Sequence, residues 1–169
     1  MPFHARKTLV TGLLGAIAMI GGVTWTATAD GGAPEAVEAG PPVAVEDFAY
    51  PGADAVLANK GIKLKRGDGH IVLADCDPAA DQIRVHTVKD TAAGREETYC
   101  FKATTKTAFL TLELPRVFAL EAADRPFSAD LTANGETTTV NVSKDGFESV
   151  GEGTVGGARS VLVEIRVTG

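Results

Sequence analysis

From Ile62 onward, apolar and polar positions alternate in short runs broken by glycine, proline, asparagine and aspartate. This is the pattern of half-buried β-strands joined by turns. Ile62 and Leu64 share one face of a first strand, and Ile71 and Leu73 share one face of the next. A two-residue turn at Gly67-Asp68, with Gly67 leading a type II′ turn, would pair Leu64 with Ile71 and Ile62 with Leu73; an Asp68-Gly69 turn would instead set Arg66 against Ile71. We take the first register. Ile83, Val85 and Thr87 keep the period of two and leave Arg84 and His86 on a solvent-facing side. Tyr99 and Phe101 mark a further strand, and Leu110, Leu112 and Leu114 line one face of residues 107 to 114 until Pro115 stops or bends them.

Arg116 to Ala123 has helix-forming residues in a strand-like neighbourhood, and we read it as a strand. Asn134-Gly135 is the clearest turn signal. A type I′ turn there pairs Phe127 with Val142, Ala129 with Val140 and Leu131 with Thr138. At the C-terminus Val161, Val163, Ile165 and Val167 alternate against Glu164 and Arg166. The expected core therefore includes Leu64, Ile71, Ile83, Val85, Leu112, Val140, Val163 and Ile165. About seven to nine short strands at this spacing predict an all-β antiparallel β-sandwich, immunoglobulin-like in outline. One short N-terminal helix, Ala53 to Lys60, follows the Pro51-Gly52 turn and ends at Gly61.

The periodicity fails before residue 47. Arg6 and Lys7 precede an apolar run from Leu9 to about Val23, and Ala27-Thr28-Ala29 supplies the small residues of a peptidase site. Residues 1–29 read as a secretory signal peptide, with cleavage before Asp30; four glycines weaken the run as a membrane span. Residues 30–46 carry three prolines, four acids and no aromatic side chain, which predicts a disordered spacer. Residues 47–169 then form a single domain.

Charge and cysteine content narrow the function. Export would remove two of the 16 basic residues and none of the 22 acidic ones, so the remaining chain is acidic. Its densest basic cluster, Lys60, Lys63, Lys65 and Arg66, reads as a solvated face. That argues against nucleic acid as a partner. Cys76 and Cys100 are the two cysteines, and in an oxidising compartment they predict one structural disulfide. No C-x-x-C redox motif is present.

Candidate chemistry is sparse. Asp75, Asp77 and Asp81 lie in one loop and are weak candidates for a hard cation, although their spacing is not that of an EF-hand. We expect no metal and no cofactor. Arg66-Gly67-Asp68 is an adhesive-type tripeptide at an expected turn, and His70 and His86 are too few for a convincing zinc site. No G-x-S-x-G nucleophile motif occurs, so no catalytic residue is assigned. The glycine-rich run 151–157 lacks the Lys-Ser/Thr of a phosphate loop and reads as a mobile surface loop. The stretch Lys89 to Thr98 is the first choice for recognition, with Arg95, Glu96 and Glu97 as its exposed tip.

Three segments, KRGDGHIVLADC at 65–76, FSADLTANG with TTTV at 127–140, and VGEG followed by LVEIRV near the end, resemble small secreted proteins of high-GC Gram-positive bacteria. The resemblance implies export and a compact domain over residues 48–169. It carries no catalytic residue, ligand or cofactor. The expected function is a secreted, extracellular, non-enzymatic binding module for a protein or cell-envelope component, with no membrane association after cleavage. A secreted protease inhibitor anchored on Arg95 is the alternative, and an uncharacterised secreted hydrolase is the third reading. The absence of tryptophan after residue 29 places a protein partner ahead of a glycan.

Overall fold

Helix α1 (Ala53–Lys60) ends at Gly61, whose φ of 62° is the left-handed cap conformation that glycine adopts without steric cost. The Gly61 N–H bonds the Leu57 carbonyl at 3.1 Å. This is the helix expected from the sequence, and it is the one α-helix among residues 48–169, the part of the chain that the computed structural model describes. The expected signal peptide (1–29) and spacer (30–46) lie outside the described residues. No helix among the described residues is long and apolar enough to cross a membrane.

Ten strands follow: β1 (Lys63–Gly67), β2 (Ile71–Ala74), β3 (Ile83–Thr87), β4 (Thr98–Ala103), β5 (Thr107–Pro115), β6 (Val117–Ala122), β7 (Phe127–Ala133), β8 (Glu136–Val142), β9 (Phe147–Ser149) and β10 (Val161–Thr168). They form two five-stranded sheets, ordered β1-β5-β10-β7-β8 and β2-β4-β3-β6-β9, in which every neighbouring pair is antiparallel. Leu64, Leu110, Leu112, Leu162 and Ile165 of the first sheet join Ile71, Val85, Phe101 and Leu120 of the second in one apolar core, none more than 2% exposed. Burying such side chains contributes roughly 1.5–3 kcal/mol each. The fold is an all-β sandwich. Its strand order is not that of an immunoglobulin domain, in which the first, second, fifth and fourth strands make one sheet.

Several local expectations hold. Asn134 and Gly135 both take positive φ, and β7 and β8 pair in the expected register, Phe127 with Val142, Ala129 with Val140 and Leu131 with Thr138. Arg116 to Ala123 contains strand β6, and Ile83, Val85 and Thr87 are all buried.

The Gly67-Asp68 hairpin does not form. β1 pairs with β5 in one sheet, whereas β2 pairs with β4 in the other, so the chain crosses the sandwich between Leu64 and Ile71. Both leucine and isoleucine reach the core, but from opposite layers. Asp68 fixes the crossover: Oδ1 accepts from the His70 N–H at 3.0 Å and Oδ2 from the Phe109 N–H of β5 at 3.2 Å. The adhesive-type tripeptide thus has its carboxylate turned onto the protein's own backbone.

The C-terminal phase also differs. A bulge between Leu162 and Glu164 shifts the register of β10 against both neighbours. It turns Leu162, Ile165 and Val167 inward and leaves Val161 and Val163 half-buried, so Val163 is not a core residue. Residues 161–163 are all apolar, and alternation alone could not choose among them. Val140, on edge strand β8, is likewise half-buried and packs at the margin of the core.

Candidate functional site

Cys100 lies on β4 between Ala74 of β2 and Arg84 of β3. The chain leaving β2 reaches Cys76 two residues beyond Ala74, and the Cys76–Cys100 bridge forms there with a Cα–Cα distance of 5.1 Å. The bond therefore clamps the end of edge strand β2 to its neighbour within one sheet. It does not join the two sheets.

The loop from β3 to β4 is folded back on itself. Asp90 and Arg95 exchange both backbone hydrogen bonds, at 3.0 and 2.9 Å, and Asp90 Oδ1 accepts from the Ala92 and Ala93 N–H groups. Arg95 is not an exposed tip. It is 8% exposed, its Nε donates to the Val88 carbonyl at 2.8 Å, and its guanidinium faces Asp90. The tight backbone turn brings the side chain back along the loop, where it satisfies the Val88 carbonyl. Glu96 and Glu97 do remain exposed.

This loop meets the end of α1. A Cβ on Gly61 would overlap the Ala93 carbonyl, so the two backbones are in direct contact. The buried Tyr99 hydroxyl donates to the Lys60 carbonyl and accepts from the Glu96 N–H at 3.0 Å. Burial raises its pKa above the ordinary value of 10.0, so it stays a donor across the physiological range. Tyr50 adds a second fastening, since its hydroxyl accepts from the Leu73 N–H of β2 at 3.0 Å.

Between these fixed parts lies a cleft of about 440 Å³. Its apolar lining comes from Ala55 and Val56 of α1, Leu73 and Ala74 of β2, and the disulfide; Asn59, Lys60, Asp75 and Glu96 supply polar groups. That volume falls within the range of ordinary ligand pockets. Of the three residues expected to recognise a partner, Glu96 lines this cleft and Arg95 braces the loop behind it. Neither α1 nor the end of β2 entered the expectation, because only the tertiary fold sets them beside residue 96.

The aspartates are placed around a separate depression with Lys102 and Arg125. Asp77 Oδ1 accepts from the Ala79 N–H at 2.9 Å, as an Asp-Pro turn opener does. Asp81 accepts from the Asp124 N–H at 3.0 Å and faces Arg125 at 3.4 Å. Among the described residues, no three His, Cys, Asp or Glu side chains gather in a way that could hold a metal ion.

One polar cluster was not anticipated. Arg84 and His86 are half-buried on the outer face of their sheet, where Glu121 of β6 accepts from Arg84 at 2.9 Å and lies 3.3 Å from His86 Nε2. His86 Nδ1 lies 3.2 Å from the Thr98 hydroxyl, and the rings of Phe118 and Phe147 flank the imidazole at about 6 Å. Alternation placed Arg84 and His86 on this face correctly. The partners required the β4-β3-β6 order, which sequence pattern does not specify.

The glycine-rich run is also not a free loop. Residues Gly151–Gly153 form a 3₁₀ turn, and Arg116 grips Glu152 through two hydrogen bonds of 2.6 and 2.7 Å. Those bonds hold the Glu152 carboxyl below the usual carboxylate range. A Cβ on Gly153 would overlap the Phe118 carbonyl, so glycine here serves close packing.

A scan against protein-family models finds no match, and a search of curated proteins finds no similar sequence.

Proposed function

We propose that this chain is an exported, non-enzymatic binding module that holds a protein or cell-envelope partner through the cleft between α1 and the disulfide-clamped edge of β2. The observation that carries this reading is the fixed geometry of the cleft walls. One is covalently tied by Cys76–Cys100, and the other is held by the Tyr99–Lys60 and Tyr50–Leu73 hydrogen bonds. A preformed apolar site with a few polar groups at its rim lowers the ordering cost of binding.

The test is capture from culture medium and envelope extracts. Ala55→Trp fills the cleft from an exposed helix position, whereas Ala58→Trp adds the same bulk outside it. Loss of capture by the first variant and not the second supports the cleft; equal capture by both removes it. N-terminal sequencing of the exported protein, expected to begin at Asp30, tests the signal peptide separately.

A hydrolase is the second reading, favoured by the line from the Thr98 hydroxyl through His86 to Glu121. Glu121 is shared with Arg84, however, which draws its charge away from the imidazole. Turnover of ester or peptide substrates that disappears in His86→Ala would establish it. The inhibitor reading loses its anchor, because the Arg95 guanidinium is turned inward.

A further inference from the structure

Each sheet of the sandwich has two edges, and three of the four are protected. β1 is covered by the incoming chain: the Tyr50 N–H bonds the Lys65 carbonyl, and the Gly67 N–H bonds the Phe48 carbonyl, each at 2.9 Å. β2 has four residues and gives its Leu73 N–H to Tyr50. β9 has only three residues. Short length, lysine, proline, bulges and covering segments are the usual defences of a sheet edge.

Among the described residues, β8 has none of them. It runs for seven residues, Glu136 to Val142, pairs only with β7 among the described residues, and shows no bulge in that ladder. Three threonines and two valines give it strong β propensity, and residues 136–139 and 141 are exposed. We infer that this edge is a self-association surface, and that a second copy of the chain pairs with it, β8 against β8, antiparallel across a two-fold axis at Thr139.

The register follows from the turn. A two-residue Asn134-Gly135 turn closes on Ala133 and Glu136 as a hydrogen-bonded pair. Thr138, Val140 and Val142 therefore bond to β7, while Thr137, Thr139 and Asn141 aim their N–H and C=O groups at the open side. That outward set is symmetric about Thr139. An antiparallel copy places Thr139 against Thr139, and Thr137 against Asn141 twice, giving about six main-chain hydrogen bonds. The outer side chains meeting across the seam are uncharged hydrogen-bonding groups. The one charge on the strand, Glu136, falls opposite Val142 of the other copy, so no like charges meet along the seam. This inference is independent of the cleft, which lies at the far edge of the other sheet, on β2.

Protein expressed from the full-length sequence is examined by analytical ultracentrifugation from about 1 µM to about 1 mM, with site-resolved hydrogen exchange at both ends of the range. The expected result is a concentration-dependent dimer in which the Thr137, Thr139 and Asn141 amides exchange at least about ten-fold more slowly than at dilution. Thr139→Pro removes an outward N–H that β7 does not use, and Thr139→Lys brings like charges together at the axis. Both should be monomeric, with the second covering the case in which the proline variant fails to fold. A monomer across the range overturns the inference. So does a dimer whose three amides exchange freely, a dimer retained by both variants, or protection that persists in the dilute monomer, which would mean that the chain covers its own edge.

Discussion

Removing the hydroxyl of Tyr99 takes the partner from two part-buried backbone groups at once, the Lys60 carbonyl and the Glu96 N–H. Tyr99→Phe should therefore cost about 1–3 kcal/mol in urea unfolding, although it deletes a single oxygen. The phenol also has a signature in pH. Its folded pKa is raised by burial, so the stability it contributes is present below the ordinary value of 10.0 and is lost as pH rises through the raised value. Tyr99→Phe should flatten that alkaline decline. Arg95 behaves in the same way despite its charge. A side chain at the tip of a solvent-facing loop would cost under about 1 kcal/mol to truncate. Here Arg95→Ala leaves the Val88 carbonyl without its partner, and the expected loss is about 1–3 kcal/mol, read by the same unfolding measurement.

At the scale of elements, the structure departs from simple alternation where backbone meets backbone. The segment Gly151–Gly153 is held because Phe118 lies against Gly153 and Arg116 holds Glu152. Gly153→Ala should then destabilise the protein by about 1–3 kcal/mol through overpacking, where a free loop would tolerate it. Glu152→Gln should speed hydrogen exchange in residues 151–157. The sign of the pH effect follows from the lowered carboxyl pKa: the Arg116–Glu152 contribution is present above the ordinary value of 4.5 and is lost as pH falls through the lowered one. Protection factors in this segment, that is exchange relative to the intrinsic amide rate at each pH, should fall on acidification in the wild type and change less in Glu152→Gln. The bulge in β10 belongs to the same scale, since one extra residue decides that Leu162 and not Val163 faces the core.

Across the whole molecule, the Cys76–Cys100 bridge closes a sequence separation of 24 residues that includes β3, and in the chain-entropy account this restricts the unfolded state by roughly 3.5 kcal/mol. Replacing both cysteines by serine should lower stability by up to about that amount. Partner capture should fall further than the stability loss explains, because the end of β2 would be freed from the cleft wall; capture measured well below the unfolding temperature separates the two effects. The sequence by itself determined what depends on near neighbours: the helix ending at Gly61, the Asn134-Gly135 hairpin with its register, the strand character of residues 117–122, the buried face of Ile83, Val85 and Thr87, and the pairing of the two cysteines present. These follow from turn chemistry, period-two burial and the absence of alternative partners. The tertiary structure alone decided that Leu64 and Ile71 enter the core from opposite sheets, that His86 meets Glu121 and Thr98, and that α1 faces the disulfide across a cleft. Each of these depends on strand order, and the order is set by long-range packing of interchangeable apolar faces, which local pattern cannot rank.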